Sequence, residues 1–209
     1  MTLSNSSCSI NAAATVTASG TNLTVNLPVT FTAAYAGAKG VYMYAAGSLA
    51  NSGWREMGSW TVIATPEPAS VTPSSGSGAQ QIFTLQYIDP YGAIDLASTW
   101  VWFTSNFNTG SSANSCLVYY ARAVNQLFLL NDAGTVWSPA TPGAAVTLSN
   151  SSCSINAASA SVAALGANLT VNLPVTFTTA YAGAKGIYMY AAGSIANSGW
   201  QTMGSWIVP

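Results

Sequence analysis

Short runs of alternating apolar and polar residues follow one another along the chain. The longest occupies residues 168–178, where every second side chain is apolar and shares one face of an extended strand. Similar runs, bounded by Gly, Pro or Asn turns, fall at 82–88, 99–104, 116–121 and 126–130. No segment keeps a sustained helical period. The pattern predicts an all-β protein built as an antiparallel β-sandwich, with Pro174 at a strand edge or a bulge.

A long internal duplication divides the chain. The sequence of residues 2–63 is repeated, with few changes, at 147–209, whereas that of residues 64–146 occurs once. The chain therefore contains one and a half copies of one unit and begins in the middle of a copy. Repetition at domain length is typical of arrays and polymers, in which each unit meets the next through the same surface.

The duplication also predicts the domain boundaries. We expect residues 1–63 to be the C-terminal half of a sandwich and residues 79–209 to form a complete sandwich. Residues 64–78, which are rich in Pro, Ser and Gly, are either a semi-rigid linker or a first strand.

The composition excludes several classes of partner. Only 4% of the residues are charged and the net charge is −1, against roughly 25% charged residues in ordinary soluble domains. Without a basic patch we expect no nucleic-acid binding, and without an apolar run of ~18 residues we expect no membrane span. A surface of Ser, Thr, Asn and Gly favours self-association, and this Lys-poor composition suggests an extracellular or cell-surface location.

Catalysis is not expected. The chain has no histidine, so it lacks the usual general base at neutral pH and any serine or cysteine centre that depends on one. Arg55 and Glu56 become Gln201 and Thr202 in the second copy, which argues against a catalytic role for either charge. We therefore predict a protein that is not an enzyme and needs no cofactor, with calcium as the one exception considered below.

Three cysteines leave two interpretations open. Cys8 and Cys153 occupy the same position in the two copies, while Cys116 lies in the segment that occurs once. Within a complete unit Cys116 and Cys153 can form a disulfide, which leaves Cys8 unpaired or available to another chain. The alternative is three buried free thiols.

Asp89 and Asp95 are the candidate metal ligands. They stand six residues apart across a Pro-Gly turn, so that their carboxylates could share one calcium ion with backbone carbonyls. The alternative is that Asp89 caps the turn through its own backbone and Asp95 leads into the next strand.

Trp100 and Trp102 are the candidate ligand-stacking residues. They lie on one face of a predicted strand, at a spacing suited to stacking on a glycan. The alternative is that both pack in the core, as tryptophans of sandwiches commonly do between the two sheets.

Four segments together resemble the immunoglobulin-like or cadherin-like tandem repeats of secreted bacterial surface proteins. They are PSSGSG at 73–78, YIDPYGAIDL at 87–96, GIYMYA at 186–191 and GWQTMGSWIVP at 199–209. The resemblance implies an immunoglobulin-like sandwich and a stalk, adhesion or scaffolding role. A repeat array that starts halfway through a sandwich departs from that family.

The half-unit leads to the functional expectation. A bisected sandwich leaves an open sheet edge and exposed apolar faces, which another polypeptide must cover. We therefore expect a structural protein that assembles with itself, head to tail, into an extracellular filament by strand or half-domain complementation. The alternative is a carbohydrate-binding or adhesion module from a tandem-repeat surface protein.

Overall fold

The computed structural model describes residues 2–209, and the chain divides into two compact units between Ala64 and Thr65. The sequence does not decide whether residues 64–78 are a linker or a first strand. In the structure they contain two strands of the second unit. Strand is the dominant structure, because apolar residues recur at every second position and leave one face of each strand for burial.

Within the described residues 2–64, the first unit contains seven strands and one 3₁₀ turn. They are β1 (Leu3–Ser4), β2 (Cys8–Ile10), β3 (Thr15–Ser19), β4 (Asn22–Asn26), β5 (Val29–Phe31), the turn Ala33–Tyr35, β6 (Gly37–Met43) and β7 (Arg55–Val62). They form three small antiparallel sheets, which are β1-β2-β5, β3-β4 and β6-β7.

The second unit contains thirteen strands and three 3₁₀ turns. The strands are β8 (Glu67–Thr72), β9 (Ser75–Ser77), β10 (Gln80–Ile88), β11 (Ser98–Thr104), β12 (Cys116–Ala121), β13 (Gln126–Leu130), β14 (Trp137–Ala140), β15 (Thr147–Ser149), β16 (Cys153–Asn156), β17 (Ser161–Leu165), β18 (Asn168–Phe177), β19 (Gly183–Ala192) and β20 (Gln201–Val208). The turns are Arg122–Val124, Ala157–Ser159 and Thr179–Tyr181.

These strands form a two-layer β-sandwich. The first sheet has the order β15-β16-β18-β10-β8, with β17 also paired to β18. The second sheet has the order β14-β13-β12-β11-β19-β20-β9. The core between the sheets includes Phe83, Phe103, Leu173 and Ile187, all fully buried. The all-β sandwich class predicted from the apolar pattern is confirmed.

Two details of the sandwich differ from the sequence-based prediction. Strand β9 pairs with β20 in parallel. Pro174 lies in β18, which is an interior strand of its sheet rather than an edge. On the side away from β10, however, β17 pairs with β18 only up to Asn172 and β16 only from Val175. Pro174 is in register with Ile82 of β10, and on its other side it lies at the gap between β17 and β16, where a missing N–H interrupts no pairing.

Each sheet of the second unit contains strands from both sequence halves. In the first sheet, β10 of the single-copy half pairs with β18 of the duplicated half over nine residue pairs. In the second sheet, β11 pairs with β19 over seven. Residues 65–146 and 147–209 therefore complete each other strand by strand, and neither half forms a whole sheet alone.

The first unit repeats the duplicated half without its complement, and two of its longest strands are interrupted or shortened. Strand β18 is continuous over ten residues, whereas the same sequence in the first unit is divided into β4 and β5. Strand β19 extends to Ala192, whereas β6 ends at Met43, three residues earlier in the repeat. Both long strands pair with a strand of residues 65–146, so the losses occur where that partner is missing.

The two copies of one leucine provide a matched test of this fold. Leu173 is fully buried, whereas its copy Leu27 is 53% exposed. We expect Leu173→Ala to lower the free energy of unfolding by about 2–5 kcal/mol through the cavity it leaves. Leu27→Ala should change it by less than about 0.5 kcal/mol. Urea titrations of the full chain, followed by far-ultraviolet circular dichroism, measure both. A comparable loss for Leu27→Ala would mean that the first unit buries a core of its own.

Candidate functional site

An uncovered apolar face is the most distinctive feature of the first unit. We call this set of side chains the uncovered face. Its members are Leu3, Leu23, Val25, Leu27, Val29, Phe31, Val41, Met43 and Trp60, all exposed. Their copies in the second unit are all buried, and they are Leu148, Leu169, Val171, Leu173, Val175, Phe177, Ile187, Met189 and Trp206. The nine pairs are identical apart from Val41 and Ile187, so surroundings rather than sequence decide the burial.

Residues 65–146 supply the aromatic contacts that bury these copies. The ring centroid of Phe83 lies 5.2 Å from that of Trp206 and 6.4 Å from that of Phe177. The ring of Phe103 lies 5.3 Å from Phe177. Edge-to-face pairs of this kind add roughly 0.5–1.5 kcal/mol each beyond their burial. In the second unit, Phe83 and Phe103 therefore pack against the side chains whose copies are exposed in the first unit.

Polar groups of the duplicated half also bond across to residues 65–146. The Tyr181 hydroxyl donates to the carbonyl of Phe103 at 2.6 Å. The Asn150 amide donates to the carbonyls of Ser115 and Leu130 at 2.9 and 2.8 Å. These bonds fix the register of the two halves, because a shifted strand would leave buried donors unpaired.

The first unit carries the same donors. Tyr35 is the copy of Tyr181, Asn5 the copy of Asn150, and Trp60 the copy of Trp206, whose ring nitrogen donates to the Gly78 carbonyl at 2.8 Å. The first unit thus carries these polar donors as well as the apolar side chains of the uncovered face.

The cysteines follow the same division. The structure joins Cys116 on β12 to Cys153 on β16 by a disulfide that connects the two sheets and the two halves. Cys8, the copy of Cys153, is a free, half-buried thiol.

Asp89 and Asp95 lie together at another contact between the halves. Asp89 is fully buried, and its Oδ1 accepts from the backbone N–H of Tyr91 at 2.9 Å, so it caps the turn. Both carboxylate oxygens of Asp95 accept from Ser194, the hydroxyl at 2.6 Å and the N–H at 3.0 Å. A Cβ on Gly193 would lie 2.7 Å from Asp95 Oδ2 and 2.8 Å from Asp89 Oδ2. Only glycine leaves room for both oxygens there.

The electrostatics of this carboxyl pair are asymmetric. Burial raises the pKa of Asp89, and the neighbouring charge of Asp95 raises it further. The hydrogen bonds from Ser194, with a smaller contribution from Arg122, lower the pKa of Asp95. Asp89 Oδ2 accepts no hydrogen bond from any described residue, which fits a protonated Asp89 that donates to the Asp95 carboxylate.

The geometry bears on the predicted calcium site. The structure brings Asp89 and Asp95 together, as that prediction requires, but Asp95 already accepts two hydrogen bonds from Ser194. Among residues 2–209 no group of three or more His, Cys, Asp or Glu side chains is placed to hold a metal. Because calcium takes six to eight oxygens, one shared proton fits these two carboxyls better than the ion does. Calcium binding here stays a prediction.

Trp100 and Trp102, the candidate ligand-stacking residues, lie on one strand and outside the core between the sheets. Their neighbours Val101 and Phe103 enter the core between the sheets, so the two tryptophans lie on the outer side of the second sheet. They belong to a separate aromatic cluster. Its members are Trp100, Trp102, Phe107, Tyr119, Phe128, Trp137, Tyr188, Tyr190 and Trp200.

The rings of this cluster occupy much of one another's faces. Trp100 stacks on Tyr119 at 4.4 Å and meets Trp137 edge-on at 5.5 Å. Trp102 is 3% exposed, whereas Tyr190 and Trp200 are half-buried. A flat ligand could therefore reach Tyr190 and Trp200 at the rim of the cluster more easily than Trp102.

Lys185 is a residue whose burial the sequence does not reveal. It is 5% exposed, its Nζ lies 4.2 Å from the ring centroid of Tyr181 and donates to the Ala182 carbonyl at 3.1 Å. Burial lowers the pKa of this lysine. Lys39 lies over Tyr35 in the same way, at 4.3 Å. The cation holds the tyrosine that bonds across to the other half.

Comparisons with known proteins found no matching family model, curated protein or solved structure. No helix within residues 2–209 has the length and apolar character needed to cross a membrane.

Most of the residues that form hydrogen bonds between the two halves cannot be recognised from the sequence. Asn150, Tyr181 and Ser194 are ordinary polar residues in strand or turn context, and nothing in their spacing marks them. One signal was present: all three are unchanged between the two copies, at Asn5, Tyr35 and Ser48.

The carboxyl pair predicts an unusual pH dependence. Because the folded-state pKa of Asp89 is raised, its stabilising protonation is present below its ordinary value of 3.8 and is lost as pH rises through the raised value. Asp95 has the opposite sign, since its lowered pKa makes its contribution fall at low pH. We expect Asp89→Asn, a neutral donor, to stabilise the second unit at pH 7 and to flatten the fall in unfolding free energy with rising pH.

Urea unfolding between pH 4 and pH 8 measures this effect. Asp95→Asn is the contrasting variant, because it replaces one of the two oxygens that accept from Ser194 with an NH₂ group and should destabilise throughout that range. Equal pH profiles for the wild type and Asp89→Asn would contradict the shared proton. A calcium-dependent rise in stability that Asp89→Asn removes would instead support the calcium prediction.

Proposed function

We propose that this chain is a structural, non-enzymatic protein that assembles head to tail into an extracellular filament through half-domain complementation. The observation that supports the proposal is that one apolar sequence is buried in one copy and exposed in the other. The half that buries it, residues 65–146, is known in detail from the second unit.

The energetic argument rests on the number of side chains involved. Burying one Val, Leu, Phe or Met side chain stabilises by about 1.5–3 kcal/mol. The uncovered face presents nine apolar side chains, together with unpaired edges of β4, β5 and β6 that match strands paired in the second unit. Exposed apolar surface and open sheet edges are the two features that most promote association between chains.

The geometry of complementation favours a chain of subunits. The uncovered face lies on residues 2–63, and the surface that fits it lies on a different segment, 65–146. A contact between two different surfaces is heterologous, and such contacts continue from subunit to subunit unless a ring closes. Adding strands to open edges is a common way to build such joints.

Chemistry on this surface supports a structural role. The uncovered face consists of apolar side chains, the first unit adds hydroxyls, amides and the thiol of Cys8, and the chain contains no histidine. A disulfide in the core of the second unit suits an oxidising location outside the cell.

Assembly can be measured directly. We expect the full chain to form larger species as its concentration rises, visible by size-exclusion chromatography and as filaments by negative-stain microscopy. Residues 65–209 alone should stay monomeric, because they lack the uncovered face. Leu27→Asp should abolish assembly, whereas Leu49→Asp, at a 98% exposed position outside the face, should not. A monodisperse full-length monomer at high concentration would reject the proposal.

A second candidate function is carbohydrate binding at the aromatic cluster. The half-buried rings of Tyr190 and Trp200, backed by Trp100, favour it, because glycans stack on exposed aromatic faces. We expect Trp200→Ala to remove binding on a glycan array if this function exists, with assembly unchanged. An array on which the wild type binds no glycan would exclude it.

A further inference from the structure

The surroundings of Cys8 reproduce those of its disulfide-bonded copy. Cys8 pairs with Phe31 across β2 and β5, as Cys153 pairs with Phe177 across β16 and β18. The side chain of Asn5 accepts from the N–H groups of Ser7 and Cys8 at 2.8 and 2.9 Å.

Asn150 makes the same two bonds to Ser152 and Cys153, both at 2.9 Å. The loop that presents the thiol is therefore already in its disulfide-forming arrangement, although the first unit has no counterpart of Cys116.

The number of halves in the chain limits which partner can complete this site. Each chain carries two halves of the duplicated kind and one half of the 65–146 kind. When one chain gives its 65–146 half to a neighbour, its own residues 147–209 lose their cover. Whether or not identical chains exchange halves, one half of the duplicated kind per chain is therefore left without cover.

We propose that residues 2–63 are a covalent docking site for a polypeptide that offers an unpaired half of the 65–146 kind. A disulfide between Cys8 and the cysteine matching Cys116 closes the joint. This inference rests on the complementation in the proposed function and specifies its partner. The partner brings apolar strands matching β10 and β11, with carbonyls placed for the donors of Asn5, Tyr35 and Trp60.

The covalent step balances with a low-molecular-weight disulfide as the oxidant. The Cys8 thiolate attacks one sulfur of that disulfide and expels the first small thiolate. The partner's thiolate then attacks the Cys8 sulfur and expels the second. Two cysteine thiols lose two electrons to the oxidant's S–S bond, and their two protons go to the two thiolates that leave.

The test uses the full chain as receptor and a polypeptide of residues 65–146 as probe, diluted from denaturant into a glutathione redox buffer. We expect an equimolar, reductant-sensitive adduct, with the Cys8–Cys116 link found by peptide mapping. Cys8→Ser should abolish the covalent adduct but leave a non-covalent complex, detectable by light scattering. Leu27→Asp should abolish both, and Leu49→Asp neither.

Three results would overturn the inference. They are the absence of an adduct, a probe linked to Cys153 in place of Cys8, and an adduct that Leu27→Asp leaves unchanged. The outcome is separable from that of the proposed filament. Filaments of the full chain with Cys8 still free would support assembly and reject this joint, whereas an adduct with a monomeric full chain would support the joint and reject the homopolymer.

Discussion

The structure depends on the burial of one apolar strand face between two halves of a sandwich. In the second unit, residues 65–146 supply a neighbouring strand to each sheet, and β18 is continuous and buried along its whole apolar side. In the first unit the same sequence is exposed and divided between β4 and β5. Backbone preference alone therefore does not maintain this strand. The neighbouring strand and the side chains packed over its apolar face maintain it, because side-chain packing on a half-buried surface is the main source of strand stability.

Several independent contacts cross between the two halves, and each depends on the same alignment. The Cys116–Cys153 disulfide joins the sheets, the Tyr181 hydroxyl reaches the Phe103 carbonyl, and Ser194 binds a carboxylate of the other half. A partner that lacked one of these groups would leave a buried donor or charge unpaired, which costs about 1–3 kcal/mol. The contact between halves is therefore selective as well as apolar.

The sequence was informative wherever its pattern repeats. Alternation predicts the sandwich, and the duplication locates the change of unit close to where the structure divides the chain, between Ala64 and Thr65. It was less informative about direction and partner choice. The alternation around Trp100 does not show which face of β11 enters the core, so the sequence leaves open whether Trp100 and Trp102 pack there; in the structure they lie on the outer side of the sheet. Nor could an edge be inferred from Pro174, because that prediction needs the point where β17 gives way to β16. Such features depend on neighbours distant in sequence.

Hydrogen–deuterium exchange, read peptide by peptide on the full chain, tests the central claim most directly, because the two copies report on two environments under one set of conditions. The account predicts slow exchange across Asn168–Phe177, whose amides lie in a covered sheet. Fast exchange is expected across the same sequence at 22–31 in the isolated monomer. Equal protection of the two segments in that monomer would contradict the account, since the first unit would then be stable without any cover from another polypeptide.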